Sequence, residues 1–272
     1  MSEVVCIGLA TLDSIFALPR HPGADDRVVA DELAVAGGGP AATAAVALAR
    51  LGVEVAFVGA VGDDGPGREI RAGLEHEGVD VEELRIVPGA RSPQSTILVG
   101  GAGRAIVHYP GTAALAPSPA AVARMRAAPW VHADHAGYAA VPDGVRLSVD
   151  GGNPIPGLDL ARVALYAPTA AALAGTPEDA LAAGADLVVV TRGAGGCVAY
   201  TATETLELAA TPVEELVSTL GAGDVFHGAL LAALVREEPL AAALAFANRA
   251  AALSCRALDG RSAIPTLEEV LT

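Results

Sequence analysis

Short apolar runs alternate with stretches of helical spacing along most of the chain. Residues 3–9 (EVVCIGL) form a brief apolar run ending at Gly8 and Leu9, the pattern of a buried parallel strand. Val53 to Val61 is a second such strand. Residues 79–87 are a third, and Trp130–Ala133, Arg146–Val149, Val163–Tyr166 and Leu187–Thr191 continue the series. Between them the spacing turns helical: from Pro40 to about Leu51, from the turn at 62–67 to His76 or Glu77, over Ala120–Ala127, after Val225, and over 240–258. This βαβ rhythm predicts an α/β fold, a doubly wound and mainly parallel sheet between helices, in one domain spanning 1–272.

Two regions break the rhythm. Residues 14–35 mix Pro, Gly and charge, then alternate weakly through Val28, Ala30, Leu33 and Val35. Ser95–Val99 and Ala105–Tyr109 flank a glycine-rich turn at 100–103, a hairpin signature. Segments 14–35 and 91–109 together predict a small β-sheet lid. Period-two alternation puts Arg104 and His108 on one face with Ala102 and Ile106.

Composition narrows the chemistry. Apolar residues make up 52% but aromatics only 3%, so the core is built from Ala, Val and Leu. The formal charge of −15 argues against nucleic acid and anionic membrane as partners. All 17 basic residues are Arg, which excludes a Walker lysine and every Schiff-base mechanism. Cys6, Cys197 and Cys255 are isolated, which fits a reducing, cytoplasmic setting. No cleavable signal or long uncharged apolar run is visible, and a soluble protein is expected.

Three glycine-rich turns carry the candidate chemistry. Ser218–Gly228 (STLGAGDVFHG) reads as a tight turn opening a helix. The N–H groups of Gly221, Ala222 and Gly223, with the helix dipole, would form an anion hole. Asp224 beside it is placed to take a proton from a hydroxyl. Ala36–Ala45 (AGGGPAATAA) offers a second anion- or sugar-ready helix start, with Pro40 at the first helical position. Thr191-Arg192-Gly193-Ala194-Gly195-Gly196 follows a strand and suits either a phosphate or a hairpin turn. Asp13 lies just past the first strand, where open α/β sheets bind ligands, and Asp150 ends a later one. A dinucleotide fingerprint is missing at Gly8, and His132, Asp134 and His135 lack further ligands at metal spacing, so no metal ligand is assigned.

These motifs resemble the ribokinase-like, or PfkB, family of carbohydrate and nucleoside kinases, over about residues 3–267. The most specific part is Thr219-Leu220-Gly221-Ala222-Gly223-Asp224 with Phe226 and Gly228; Gly38-Gly39-Pro40-Ala41 matches the amino-terminal signature. Both motifs look most like the sulfofructose kinase branch. The resemblance implies ATP and Mg²⁺ as cofactors and a small-molecule sugar as acceptor. Asp224 would be the base and the Gly221–Gly223 amides the anion hole. Asp13, Arg27, Gly38, Gly39, Thr43 and His108 would bind the sugar. Thr191, Arg192, Gly193, Gly196 and Asn248 would bind nucleotide, and the lid would pair two subunits into a homodimer. Departures accompany it. Ser218 stands where the family has an Asp that helps a monovalent-cation site. The Asn-x-x-Glu element would fall at Tyr166–Thr169, where no side chain is an acid. Thr43 replaces the signature Asn, and a third sulfonate-gripping position reads Ala136. A nucleoside kinase of the same fold and a non-catalytic sugar- or nucleotide-sensing homologue remain as alternatives.

Overall fold

The computed structural model describes residues 3–100 and 103–272. A nine-stranded sheet runs in the order β13-β12-β11-β10-β9-β8-β1-β4-β5. Its strands are β1 (Val4–Ile7), β4 (Val55–Gly62), β5 (Leu84–Val87), β8 (Val131–Ala133), β9 (Leu147–Gly151), β10 (Val163–Pro168), β11 (Leu187–Thr191), β12 (Cys197–Tyr200) and β13 (Thr205–Leu208). Pairing is parallel from β5 through β11 and antiparallel for β11–β12 and β12–β13. The doubly wound α/β architecture expected from the apolar rhythm is the one observed. β13 escapes a reading by apolar runs because its four residues, TLEL, are half exposed and polar at alternate positions.

Helices cover both faces. On one lie α1 (Pro40–Arg50), α2 (Gly65–His76), α5 (Ala222–Val235) and α6 (Leu240–Ser254), packed on Val4, Cys6, Phe57 and Leu165. On the other, α3 (Pro119–Ala127) and α4 (Pro177–Ala182) pack on Val5, Ile7, Val149 and Val188. A short α7 (Leu267–Leu271) closes the chain. With so few aromatics, close helix contact replaces large side chains. Every residue of α1 from Ala41 to Leu48 is buried. α5 approaches α1 so closely that a Cβ at Gly228 would lie 2.5 Å from the Ala44 carbonyl oxygen. That contact fixes α5, and Asp224 on its first turn, against the glycine turn preceding α1.

A second, four-stranded sheet, in the order β3-β2-β6-β7, forms where the small β-sheet was expected. It comprises β2 (Thr11–Ala17), β3 (Glu32–Gly38), β6 (Gln94–Gly100) and β7 (Gly103–Tyr109). Asp13 is thus the third residue of a lid strand, opposite Ala36 and Ser95, and not a loop residue beyond β1. The break at Gly8–Ala10 that ends β1 is only three residues long, and the chain re-enters strand at once. Alternation divides the lid into two faces. Ile15, Ile97 and the buried Leu258 pack beneath it. Leu33, Val35, Val107 and Tyr109 are exposed on the far side. The tip of the hairpin, including Ala102, lies outside the described residues.

Candidate active site

One cleft of about 430 Å³ lies between the lid and the carboxyl ends of the parallel strands. It gathers residues from five places: Thr11, Asp13, Ser95, Arg104 and His108 from the lid; Gly38, Gly39 and Thr43 around the start of α1; Asp150, Gly152 and Asn153 at the end of β9; Thr169 and Thr191 at the ends of β10 and β11; and Gly221, Gly223, Asp224 and His227 at α5.

α5 begins on a glycine turn, as the motif suggested. Gly221 takes the left-handed conformation (φ 74°) and no side chain caps the helix. Gly260 packs 2.9 Å from where a Cβ of Gly221 would sit, so both backbone angle and space demand glycine. Of the three amides expected to form the hole, that of Ala222 turns back to the Thr219 carbonyl at 3.4 Å. Gly221 and Gly223 line the cleft; Ala222 does not. Ser218 is buried and its Oγ accepts the Leu220 N–H at 3.2 Å, a turn-forming role.

Asp224 has its carboxyl pushed up to about 7, by burial first and by the negative Asp150 second, with His227 and Arg261 opposing. His227 Nδ1 lies 3.4 Å from Asp150 Oδ2 in a buried ion pair. Burial acts to raise Asp150, but His227 and the Gly152 N–H at 2.7 Å outweigh it and hold Asp150 at about 2. Burial acts to lower His227; Asp150 and Asp224 raise it instead. The neighbouring His132, 5.8 Å away ring to ring, is driven down to about 3 chiefly by burial. One acid held low, one imidazole pushed up and one acid poised near neutrality therefore share a small space. No metal ligand was assigned from the sequence, yet Asp150, Asp224 and His227 offer ligand atoms within 4.8 Å of one another.

The acceptor end is polar and partly unsatisfied. Thr11 Oγ1 and Asp13 Oδ1 are buried without a hydrogen-bond partner among the described residues. Gly38 faces them so closely that a Cβ there would lie 1.9 Å from Asp13 Oδ2. Burial raises the Asp13 carboxyl, against Thr11, Ser95, Arg261 and His108. His108 Nδ1 sits 3.3 Å from Ser95 Oγ. Behind the glycine turn is a residue that sequence reasoning misses. Arg261 is buried and donates from Nε to Thr43 Oγ1 at 3.2 Å and from Nη2 to the Gly38 carbonyl at 2.8 Å. Its partners lie more than 200 residues away, and only the Asp259-Gly260 turn marks the region in the sequence.

Other expectations need correction. The α1 start is not a second anion hole. Asp134 fills it, accepting N–H bonds from Ala41 at 3.2 Å and Leu9 at 2.8 Å, and from Ala136 and Gly137 at 2.9 Å. Arg27 is exposed on the loop joining β2 and β3, away from the cleft lining. Arg192 pairs with Glu207 at 2.5 Å, in the hairpin turn that joins β11 to β12. Gly193, Gly196 and Asn248 also fall outside the lining. The Asn248 side chain donates to the Ala209 carbonyl at 3.1 Å and stays within the core. Helical periodicity locates Asn248 but not the direction its amide takes. Thr191 does line the cleft.

The sequence pattern of the pfkB family carbohydrate kinases matches residues 1–145 and 166–267. The chain belongs to this family. The kinase is 31% identical to the ATP-dependent ribose-1-phosphate kinase of Halopiger xanaduensis, over 99% of this chain and 97% of that one. It is 29% identical to the ribokinase of Bacillus subtilis, over 99% and 98%. Among solved structures, Arabidopsis thaliana ribokinase complexed with ribose and ATP shares the fold at a TM-score of 0.84 and 24% identity, covering 99% of this chain and 97% of that one. The Methanocaldococcus jannaschii nucleoside kinase does so at 0.83 and 20%, covering 100% and 97%. The enzyme is a phosphotransferase of ribokinase type with a hydroxyl acceptor. Neither relative is named for a sulfosugar. Among the described residues no helix is long and apolar enough to cross a membrane.

Proposed function

We propose that the enzyme is an ATP-dependent kinase of a free or 1-substituted pentose, with Asp224 as general base. The observation that carries this reading is the pairing of opposite ends in one cleft. The unpartnered Thr11 Oγ1 and Asp13 Oδ1 suit sugar hydroxyls, while a carboxyl poised near 7 stands at an uncapped helix start suited to phosphate. The two named relatives that act on ribose or ribose 1-phosphate support the acceptor class.

Asp224 takes the proton of the acceptor hydroxyl. That oxygen bonds the γ-phosphorus, the bond from phosphorus to the β–γ bridging oxygen breaks, and its electron pair leaves with ADP. The Gly221 and Gly223 amides stabilise charge on the moving phosphoryl group. Asp150, low in pKa and facing the cleft, fits the oxygen-donor demand of Mg²⁺, and is the residue that would hold the ion travelling with ATP. Mg²⁺ supplies charge neutralisation on the phosphates. The exposed apolar outer face of the lid, with Leu33 55% and Val107 67% accessible, supports a homodimer.

One observation favours a second reading, a nucleoside acceptor. A smaller cavity of about 350 Å³ adjoins the cleft at Leu9, His108 and His135, and is otherwise largely apolar: Ala10, Ala60, Pro93, Ala113 and Leu115. ADP release should be measured with ATP and Mg²⁺ over ribose, ribose 1-phosphate, ketohexoses, sulfosugars and ribonucleosides. Ribose or its 1-phosphate as best acceptor is the expected result. Preference for ribonucleosides selects the second reading, and acceptor-independent or absent turnover refutes both.

A further inference from the structure

We infer that Arg104 is a catalytic residue, a guanidinium carried on the lid that meets the transferring phosphoryl group. This rests on the kinase reading of the cleft. A phosphoryl transfer site needs fixed positive charge where the γ-phosphate moves. The chain contains no Lys. Among the described residues, Arg104 is the one permanently cationic side chain lining the cleft, which also holds Asp13, Asp150 and Asp224.

Its geometry points the same way. Arg104 stands on β7 at the register of Val99, on the cleft-facing side of the lid with Ile106 and His108. Its Nη1 donates to Thr219 Oγ1 at 3.0 Å, a contact between residues 115 apart in sequence. Thr219 lies two residues before Gly221, so the guanidinium reaches the rim of the anion hole. One of its five N–H donors is used there. Its charge is also unspent. Arg50, Arg124, Arg162 and Arg192 pair with carboxylates, whereas Arg104 makes no salt bridge among the described residues. Arg192, a sequence candidate for phosphate, is neutralised by Glu207. The same sheet carries Asp13 on β2 and Ser95 on β6, so one element presents both the guanidinium and the polar groups proposed for the acceptor.

The first test requires no acceptor. Binding of ADP and of the non-hydrolysable ATP analogue AMP-PNP, each with Mg²⁺, is titrated by calorimetry for wild type, Arg104→Gln, Arg104→Lys and Thr219→Val. Wild type should favour AMP-PNP over ADP by about tenfold, the range of one charge-assisted contact. Arg104→Gln should lose that preference with ADP affinity unchanged. Arg104→Lys should regain part of it, and Thr219→Val should keep it. With the best acceptor, Arg104→Gln should lower kcat about 10²–10³-fold with little change in acceptor KM. Unchanged discrimination and kcat in Arg104→Gln overturns the assignment. So does Thr219→Val reproducing the Arg104→Gln losses, which reduces the contact to a latch. A wild type that turns over no acceptor and binds neither nucleotide removes the kinase reading itself.

Discussion

Asp224→Asn should inactivate the enzyme and stabilise it, and the stabilisation should depend on pH. The wild-type carboxyl is raised to about 7 in the fold, by burial and then by Asp150. In the unfolded chain it titrates at about 3.9. Between those values the folded protein holds a proton that the unfolded chain has lost, so stability falls as pH rises. About three units at 1.36 kcal/mol each set a ceiling near 4 kcal/mol. The side chain is partly open to cleft water, which screens the charge and brings the expected cost to about 1–3 kcal/mol. Asn cannot ionise and escapes this cost. Urea unfolding of both proteins from pH 4 to pH 8 should show equal stability near pH 4. The mutant should lead by about 1–3 kcal/mol above pH 7, worth about 3–10 °C in Tm. Its kcat should fall by about 10²–10⁴. A stability difference that stays flat or reverses across this range would refute the raised carboxyl. Retained turnover would refute the base.

The same acid should govern the wild-type rate. The kcat/KM should climb tenfold per pH unit below about 7 and level off above it, because only ionised Asp224 accepts the proton, and a profile flat from pH 5 to 8 is the contrary result. Gly38→Ala places a Cβ 1.9 Å from Asp13 Oδ2 and should raise acceptor KM by at least about tenfold while leaving nucleotide affinity intact, by steady-state kinetics and calorimetry. Gly228→Ala drives a methyl into the Ala44 carbonyl at 2.5 Å and should cost about 1–3 kcal/mol in urea unfolding, with kcat reduced as α5 shifts. Leu33→Arg with Val107→Arg should convert a dimer to monomer in light scattering without unfolding the sheet.

The layered sheet was legible because each buried strand is an apolar run and each crossover has helical spacing. Both are local properties of sequence. The position of Asp224 on the first turn of α5 was legible for the same reason: a helix start on Gly-Ala-Gly is written in consecutive residues. What stayed hidden was contact between distant segments. Arg261 reaches Thr43 and Gly38 across more than 200 residues, and Asp134 reaches Ala41 across 93. In the sequence His227 is one residue of a motif. Its meaning comes from Asp150, brought beside it by the parallel order of β8, β9 and β10. Asn248 and Arg192 show the opposite case. Their places in helix and turn were right, but their side chains were already committed to Ala209 and Glu207.

The carboxylate of Asp134 has an effect on traffic through the molecule. Two helices begin on glycine turns beside one cleft, and by symmetry of construction either could receive a polyanion. At α1 the polypeptide supplies its own acceptor, the Asp134 carboxyl, bonded to the amides of Ala41 and Leu9 and unable to depart. The α5 start, by contrast, has no side-chain cap and stays open to a ligand. The two ends of the cleft therefore differ before any substrate arrives, and in the proposed reaction that difference assigns the polyphosphate to the α5 end.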